Sequence, residues 1–290
     1  MRYQLLLDHI NKECNLKNYI TAWYLKDLNT GFEAERNRDR VIPASSIRKL
    51  FIMMAVFSAA HKGLINLNEE IKLTHTQVTN TTEVSGCLQF LRPGFYLNIL
   101  DLITLMIVVS DNIATPIIAN LIGLDYINQY CSQIQCNDTI HVNTSPVIMI
   151  PVDHPLTLMN RTTVNNVGFL LNKILLGSQN STVANELQLS SNLCLQALKI
   201  LSWQQDDTLF RTLLPQEASV YHKHGLGVRN IGDAGIFYYN KKPQFILVVM
   251  TDELVGNYDL LISKHVSAAQ LISKIAKDFW DTLVGNIKDE

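Results

Sequence analysis

Three short stretches carry side chains that can do covalent chemistry. Ser46-Ile47-Arg48-Lys49 places an amine three residues after a hydroxyl. At the start of a helix those positions share a face, so a neutral amine can reach the hydroxyl and take its proton. The positive end of the helix would also stabilise negative charge developing beside it. Taken alone, an N-capping serine followed by an exposed lysine is the simpler account of the same residues. Ser110-Asp111-Asn112 is a rarer triplet, standing where one helical pattern ends and another begins. All three residue types are good helix caps, and all three can equally turn polar groups into a cleft. His222-Lys223-His224-Gly225 precedes a glycine-rich turn and a strand, and a lysine two residues before a glycine suits a backbone lying close to a ligand. His222 and His224 can face the same way on a strand, but no third ligand stands at a convincing spacing, so no metal site is assigned. For this stretch alone an ordinary exposed edge strand is the plain alternative.

The elements that must position these residues are legible from periodicity. Residues 19–25 read as a strand rich in β-branched and aromatic side chains, and Asn29-Thr30-Gly31 turns the chain back as a second strand. Residues 47–62 are apolar on every face, which predicts a buried helix. Arg48, about 100° around that helix from Lys49, is expected to reach the surface. Helices are predicted over 97–110, 113–122, 162–176, 189–203 and 264–283, a loop-rich region over 131–160, and strands over 235–239 and 244–251. Strands, then many helices, then strands and a last helix imply an α+β fold, with an antiparallel sheet built from both chain ends. Residues 1–45 and 206–290 would form the sheet-bearing subdomain and 46–205 a helical one, with the reactive stretches at their interface.

Composition bounds the function. Of 290 residues, 47% are hydrophobic and 17% charged, enough for a large core, and the net charge of −2 with no basic block argues against nucleic acid. The longest apolar run, Leu50 to Ala60 broken by Ser58, is too short to span a bilayer. Residues 1–20 show no positively charged start followed by an apolar core, so no signal peptide is visible; the expectation is a cytoplasmic chain or a mature form whose leader was removed. Five irregularly spaced cysteines with no C-x-x-C pair read as small buried residues with one exposed thiol.

S-x-x-K, then S-D-N, then K-[TS]-G, in that order, is the pattern of class A β-lactamases and penicillin-binding proteins. The sequence resembles class A β-lactamase-like serine hydrolases over nearly its whole length. "LKDLNTGFEAERNRDRVIPASSIRKL" is similar to the family's first hairpin and nucleophile, and "SGCLQFLRPGFYLNILDLITLMIVVSDNIAT" to the approach to its second motif. "NRTTVNNVGFLLNKILLG" resembles the helix after its active-site loop, and "LSWQQDDTLFRTLLPQEASVYHKHGLGVRNIGDAGIFYY" the passage through its third motif. The resemblance implies that Ser46 is the acylated nucleophile and Lys49 its base or proton relay. It implies that Ser110 passes a proton toward the leaving nitrogen, that Asn112 holds the substrate amide, and that Lys223 lies near Ser110 and the substrate carboxylate. Gly225 completes the third motif, and the oxyanion hole would be the N–H groups of Ser46 and Leu226. Lys49 would then point into a polar cleft with Ser46 and Asn112 as partners. The implied partner is a small-molecule β-lactam or a peptide-like substrate, and no cofactor is implied.

Two departures matter. The third motif reads Lys-His-Gly, so His224 replaces a hydroxyl that in the family commonly hydrogen-bonds the substrate carboxylate; its donor capacity depends on tautomer and charge. The loop glutamate with which class A enzymes activate the deacylating water has no counterpart, because no Glu stands between Glu83 and Glu186. The loop carboxylates are Asp138 and Asp153, with His141 and His154 as other bases; Asp153 is the candidate substitute. The acylation half of the machinery is therefore expected to be present and the hydrolysis half impaired. The leading reading is a serine hydrolase with slow deacylation. The alternative is a penicillin-binding protein-like DD-peptidase or β-lactam sensor that forms a stable acyl-enzyme. A non-enzymatic binding protein is opposed by the presence together of Ser46, Lys49, Ser110 and Lys223.

Overall fold

The computed structural model describes residues 2–79, 85–144 and 154–285. Helix α1 (Arg2–Asn15) leads into β1 (Ile20–Asp27), and the Asn29-Thr30-Gly31 turn returns the chain as β2 (Glu33–Arg36). A short strand β3 (Ile42–Pro43) and a 3-10 turn over Ser45–Arg48 deliver the chain into α2 (Lys49–His61). The middle of the chain is helical: β4 (Glu70–Lys72), α3 (His75–Thr79), β5 (Tyr96–Asn98), α4 (Ile99–Val108), α5 (Ala114–Ile122), α6 (Leu124–Gln133), β6 (Arg161–Thr162), α7 (Val164–Gly177), α8 (Ser181–Glu186) and α9 (Ser191–Leu201). Strands β7 (Ser219–Leu226), β8 (Ile231–Tyr239) and β9 (Lys242–Asp252) and helix α10 (Tyr258–Leu283) complete it.

The main sheet is antiparallel in the order β2-β1-β9-β8-β7, so both ends of the chain contribute, as the order of sequence patterns implied. Its centre, β9, is buried on both faces, which suits its near-continuous apolar run. Alternate residues feed two cores. Ala22, Tyr24, Ala234, Ile236, Ile246 and Val248 pack toward the helices of the middle segment. Trp23, Leu25, Phe237, Phe245, Leu247 and Val249 pack against α1 and α10.

Helix α2 runs through the first core, with every residue from Lys49 to Ala59 buried. Its side chains are apolar all round because every side meets protein, and burying each large one contributes about 1.5–3 kcal/mol. Helices α4, α7 and α10 start on side-chain caps. Asn98 accepts from Asp101 N at 2.7 Å, Thr163 from Asn166 N at 3.1 Å and Asn257 from Leu260 N at 3.0 Å, each worth about 1 kcal/mol.

The structure corrects several sequence expectations. Helix α1 escapes the sequence pattern because it is mixed in polarity; among its described residues Ile10 and Cys14 alone are deeply buried in the second core. Helix α6 ends only at Gln133, so the loop-rich region begins later than expected. Helix α10 starts at Tyr258 rather than Lys264 and β8 at Ile231 rather than Gly235, since tertiary packing carries each beyond its periodic stretch. Arg48, expected at the surface, is buried; its guanidinium donates to the Asn143 and Thr144 carbonyls at 2.9 Å each, which supplies the partners a buried cation needs. Cys14, Cys131, Cys136 and Cys194 are buried, Cys87 is half-buried, and all are free thiols.

Candidate active site

Ser46 lies in the 3-10 turn that opens α2, one residue after a backbone irregularity: Ser45 has φ of +42°, a left-handed conformation unusual for a residue with a Cβ. On one side this turn is tied to β6, through Ile42 and Pro43 paired with Thr162 and Arg161 and through Ala44 N donating to Asn160 O at 2.8 Å. On the other side it meets β7. A Cβ on Gly225 would lie 3.1 Å from Ser45 Cβ and 3.2 Å from Ile47 N, so glycine is what allows the strand this close.

Lys49 is buried one helical turn from Ser46. Its Nζ donates to Asn112 Oδ1 at 2.8 Å, to Ser110 O at 2.9 Å and to Ser110 Oγ at 3.1 Å. The first two acceptors have no proton to give. The Ser110 hydroxyl can rotate and donate instead, so the same geometry fits either an ammonium or a neutral amine. A proton can therefore pass between Lys49 and Ser110 without either side chain moving.

Asp111, fully buried, holds this second motif in place rather than facing Lys49. Its Oδ1 accepts from Ile113 N at 2.8 Å and Ala114 N at 3.0 Å, capping α5, and its Oδ2 accepts from Cys87 N at 2.8 Å and Leu88 N at 2.9 Å. Asn112 N donates to Ser85 O at 3.0 Å. Ser110 itself has φ of +53°, and the bonds on either side of it hold that conformation. The cap reading of Ser-Asp-Asn holds for Asp111, while Ser110 and Asn112 turn to Lys49.

The third motif lies on β7, the edge strand, with Lys223 opposite Ala234 and His224 opposite Asp233. Strand alternation puts Lys223 and Gly225 on the face toward the middle helices and His222 and His224 on the other. Lys223 is fully buried and donates to its neighbour's carbonyl, His224 O, at 3.0 Å. Burial pulls its pKa down to about 7, and nearby Asp233 and Asp206 oppose that fall. His222 Nδ1 lies 2.9 Å from Asp233 Oδ1 in the interior, a structural pair. His224 is also buried, with Nε2 3.3 Å from Asp206 Oδ2. Burial first, then the charges of Lys223, His222 and Lys49, push its pKa down to about 3 against the opposing charge of Asp233, so the ring is neutral at ordinary pH. Its Nδ1 is buried without a partner. The turn after β7 runs from Gly227 N, which donates to Asn230 O at 2.8 Å, into β8, where Ile231 N donates to Thr251 Oγ1 at 3.1 Å rather than back to Leu226. Along an antiparallel ladder this leaves the Leu226 N–H turned away from β8, on the sheet edge beside the Ser45–Arg48 turn.

Lys49, Ser110 and Asn112 thus meet directly, with Ser46 at the end of the same helix and β7 alongside. Of the loop bases, Asp138 is exposed and His141 is buried with its pKa pushed down to about 3 by burial and by Arg48. Asp153 lies outside the described residues. Sequence reasoning missed Asp206, Asn230 and the stitching role of Asp111; a carboxylate in "QQDD" and an asparagine in a turn carry no local pattern that sets them apart. Among the described residues no helix is long and apolar enough to cross a membrane.

The fold is that of β-lactamases and penicillin-binding transpeptidases. A β-lactamase from Sphaerobacter thermophilus superposes with a TM-score of 0.80 at 20% identity, covering 97% of each chain. TLA-3 extended-spectrum β-lactamase gives 0.81 at 19%, covering 97% of this chain and 99% of the other. PBP-A gives 0.79 at 22%, covering 99% and 97%; a mutant of PBP-A solved as an acyl-enzyme with penicillin G gives 0.78 at the same identity and coverage. The chain belongs to the beta-lactamase enzyme family, whose model matches residues 6–283. No curated protein matches the sequence.

Proposed function

We propose that the protein is an active-site-serine hydrolase of the class A β-lactamase type, acting through an acyl-enzyme on β-lactams or related amides, with deacylation as its slow step. The observation that carries this reading is the contact of Lys49 Nζ with both Ser110 Oγ and Asn112 Oδ1, one helical turn from Ser46. Ser46 Oγ attacks the amide carbonyl carbon while neutral Lys49 takes its proton. The oxyanion is held by the N–H groups of Ser46 and Leu226. Ser110 hands a proton to the departing nitrogen and is reprotonated from Lys49 across their 3.1 Å contact, so the C–N bond breaks and an ester remains on Ser46. Asn112 and Lys223 orient the substrate.

Hydrolysis of that ester needs a water deprotonated as it attacks, and a positioned base contributes about 10²–10⁴-fold. With no glutamate between Glu83 and Glu186, that contribution is reduced, and the ester accumulates. The same absence favours the second reading, a penicillin-binding protein-like DD-peptidase or sensor whose ester is stable; one fold neighbour was itself solved as an acyl-enzyme with penicillin G. Stopped-flow turnover of a chromogenic cephalosporin with intact-mass detection separates them. A stoichiometric burst followed by slow steady turnover supports the hydrolase, and a burst with no turnover supports the second reading. Fast turnover with no burst and no adduct refutes slow deacylation.

A further inference from the structure

We propose that Asn230, in the turn between β7 and β8, is a positioning residue that aims the Ser46 nucleophile by locking the residue before it; this rests on the acyl-transfer reading above. Asn230 is buried at 2% exposure, and both ends of its side-chain amide are used. Its Oδ1 accepts from Ser45 Oγ at 2.8 Å, and its Nδ2 donates to Pro43 O at 2.7 Å. One planar amide therefore grips the chain on both sides of Ala44. Its own carbonyl accepts from Gly227 N at 2.8 Å, so the amide is fixed to the turn that follows the third motif.

What the grip enforces is visible at Ser45. A left-handed backbone at φ of +42° is disfavoured for a serine and persists only where its surroundings over-determine it. The Ser45 hydroxyl bonded to Asn230 and the Ser45 Cβ lying against Gly225 are the two restraints that select it. The backbone conformation of Ser45 sets the direction of the next peptide, which carries the Ser46 N–H, and the entry angle of the Ser46 side chain. Leu226, whose N–H is the other proposed oxyanion donor, lies one residue before Gly227. The amide thus joins the two strands of chain that supply the two donors and fixes the distance between them. Asn230 touches no reacting atom. It acts through Ser45 and Gly227.

The amide chemistry is specific. Asn230→Asp keeps an acceptor for Ser45 but sets a carboxylate oxygen against the Pro43 carbonyl, where no proton is available. Ser45→Ala removes the hydroxyl and leaves the left-handed backbone without its tether. Ser45→Gly also removes the hydroxyl, but glycine adopts the left-handed region freely.

The experiment measures the acylation rate constant and the preceding binding constant separately, by intact mass, with benzylpenicillin and in parallel with a fluorophosphonate that reports serine reactivity without β-lactam recognition. Thermal unfolding is followed on the same samples. The expected result is a fall of about 10- to 100-fold in the acylation rate constant for Asn230→Asp and Ser45→Ala, as for a small misplacement of a reacting atom, with binding little changed. Ser45→Gly should recover most of the lost rate even where its melting temperature stays low, which a merely structural role would not produce. If Asn230→Asp does not fold, the two Ser45 variants decide the matter. Native rate constants in Asn230→Asp and Ser45→Ala, or a Ser45→Gly as slow as Ser45→Ala, overturn the proposal. A native protein that reacts with fluorophosphonate but not with penicillin refutes the β-lactam reading alone, and the fluorophosphonate rates of the variants still test Asn230. A native Ser46 inert to both probes overturns both.

Discussion

Asp111→Asn is the substitution whose cost follows most directly from the geometry. The carboxylate is fully buried and takes four backbone N–H bonds, two on each oxygen, at 2.8 to 3.0 Å. An asparagine has nearly the same shape, so packing is conserved. Whichever oxygen becomes an NH2 group then faces two N–H donors with nothing to offer them. Two charge-assisted bonds are lost, each worth about 1.5–3 kcal/mol, and two donors are left buried. Local relaxation recovers part of this, and the expected loss is about 3–5 kcal/mol, a large share of the roughly 5–15 kcal/mol that holds a domain together. Gly86→Ala attacks the same contact from the other side. Gly86 has φ of +95°, and a Cβ there would sit 2.2 Å from Asp111 Oδ2. The assay is urea unfolding of both variants and of the double variant, with acylation of Ser46 measured on the fraction that remains folded. Because the lesion is shared, the two losses should be strongly non-additive. Acylation should also fall, since Ser110 and Asn112 flank the damaged residue. A loss below about 1 kcal/mol for Asp111→Asn, the size of one neutral hydrogen bond, would refute the stitching role.

Lys223 titrates near 7 in the folded chain because of burial, whereas an unfolded lysine titrates near 10.4, so between those values the unfolded chain binds more protons and stability rises with pH. Lys223→Met should abolish that rise when urea midpoints at pH 7 and pH 9.5 are compared; equal slopes in the two proteins would contradict it. His224, its pKa pushed down to about 3 by burial, has no charge to change between pH 5 and 8. His224→Thr should therefore alter the level of acylation efficiency without altering its pH profile, and a divergence near pH 6 would contradict this. Arg48→Met removes the donor to two backbone carbonyls and should cost about 2–4 kcal/mol in urea unfolding, whereas a surface arginine would cost almost nothing. Lys49→Arg keeps the charge but cannot deprotonate, and should slow acylation about 10²–10⁴-fold, the contribution of a general base; a native rate would place the base elsewhere.

The parts of the fold that the sequence announces are those with uniform patterns. Helix α2 is apolar on every face and is buried on every face. Strand β1 and the Asn-Thr-Gly turn form the expected hairpin with β2. Helix α1 could not be read because, among its described residues, only Ile10 and Cys14 are deeply buried, Leu6 and Leu7 are half-buried and Leu5 is exposed, which leaves too thin a stripe to stand out from a coil. The extra length of α10 and β8 comes from partners distant in sequence. In the site, Lys49, Ser110 and Asn112 could be singled out only because their motifs stand in the order of the class A β-lactamase pattern; each motif alone has a capping account. Arg48 was misread because helical phase shows which way a side chain leaves its own helix, not what lies there; the carbonyls of Asn143 and Thr144 come from a segment far along the chain. His224 could be flagged as a replacement for a hydroxyl, but its approach to within 3.3 Å of Asp206 depends on a contact between separate segments that no local spacing encodes. Asn230 is one asparagine among many in turns, and only its two bonds to Ser45 and Pro43 distinguish it.

The central claim is that acyl transfer happens on Ser46, and peptide mapping after labelling with a penicillin-type probe tests it most directly. The protein is labelled, digested and sequenced by tandem mass spectrometry, beside Ser46→Ala treated identically. The account predicts one adduct, on the peptide carrying Ser46, and no adduct in the variant. Label on any other serine, or undiminished labelling of Ser46→Ala, would contradict it.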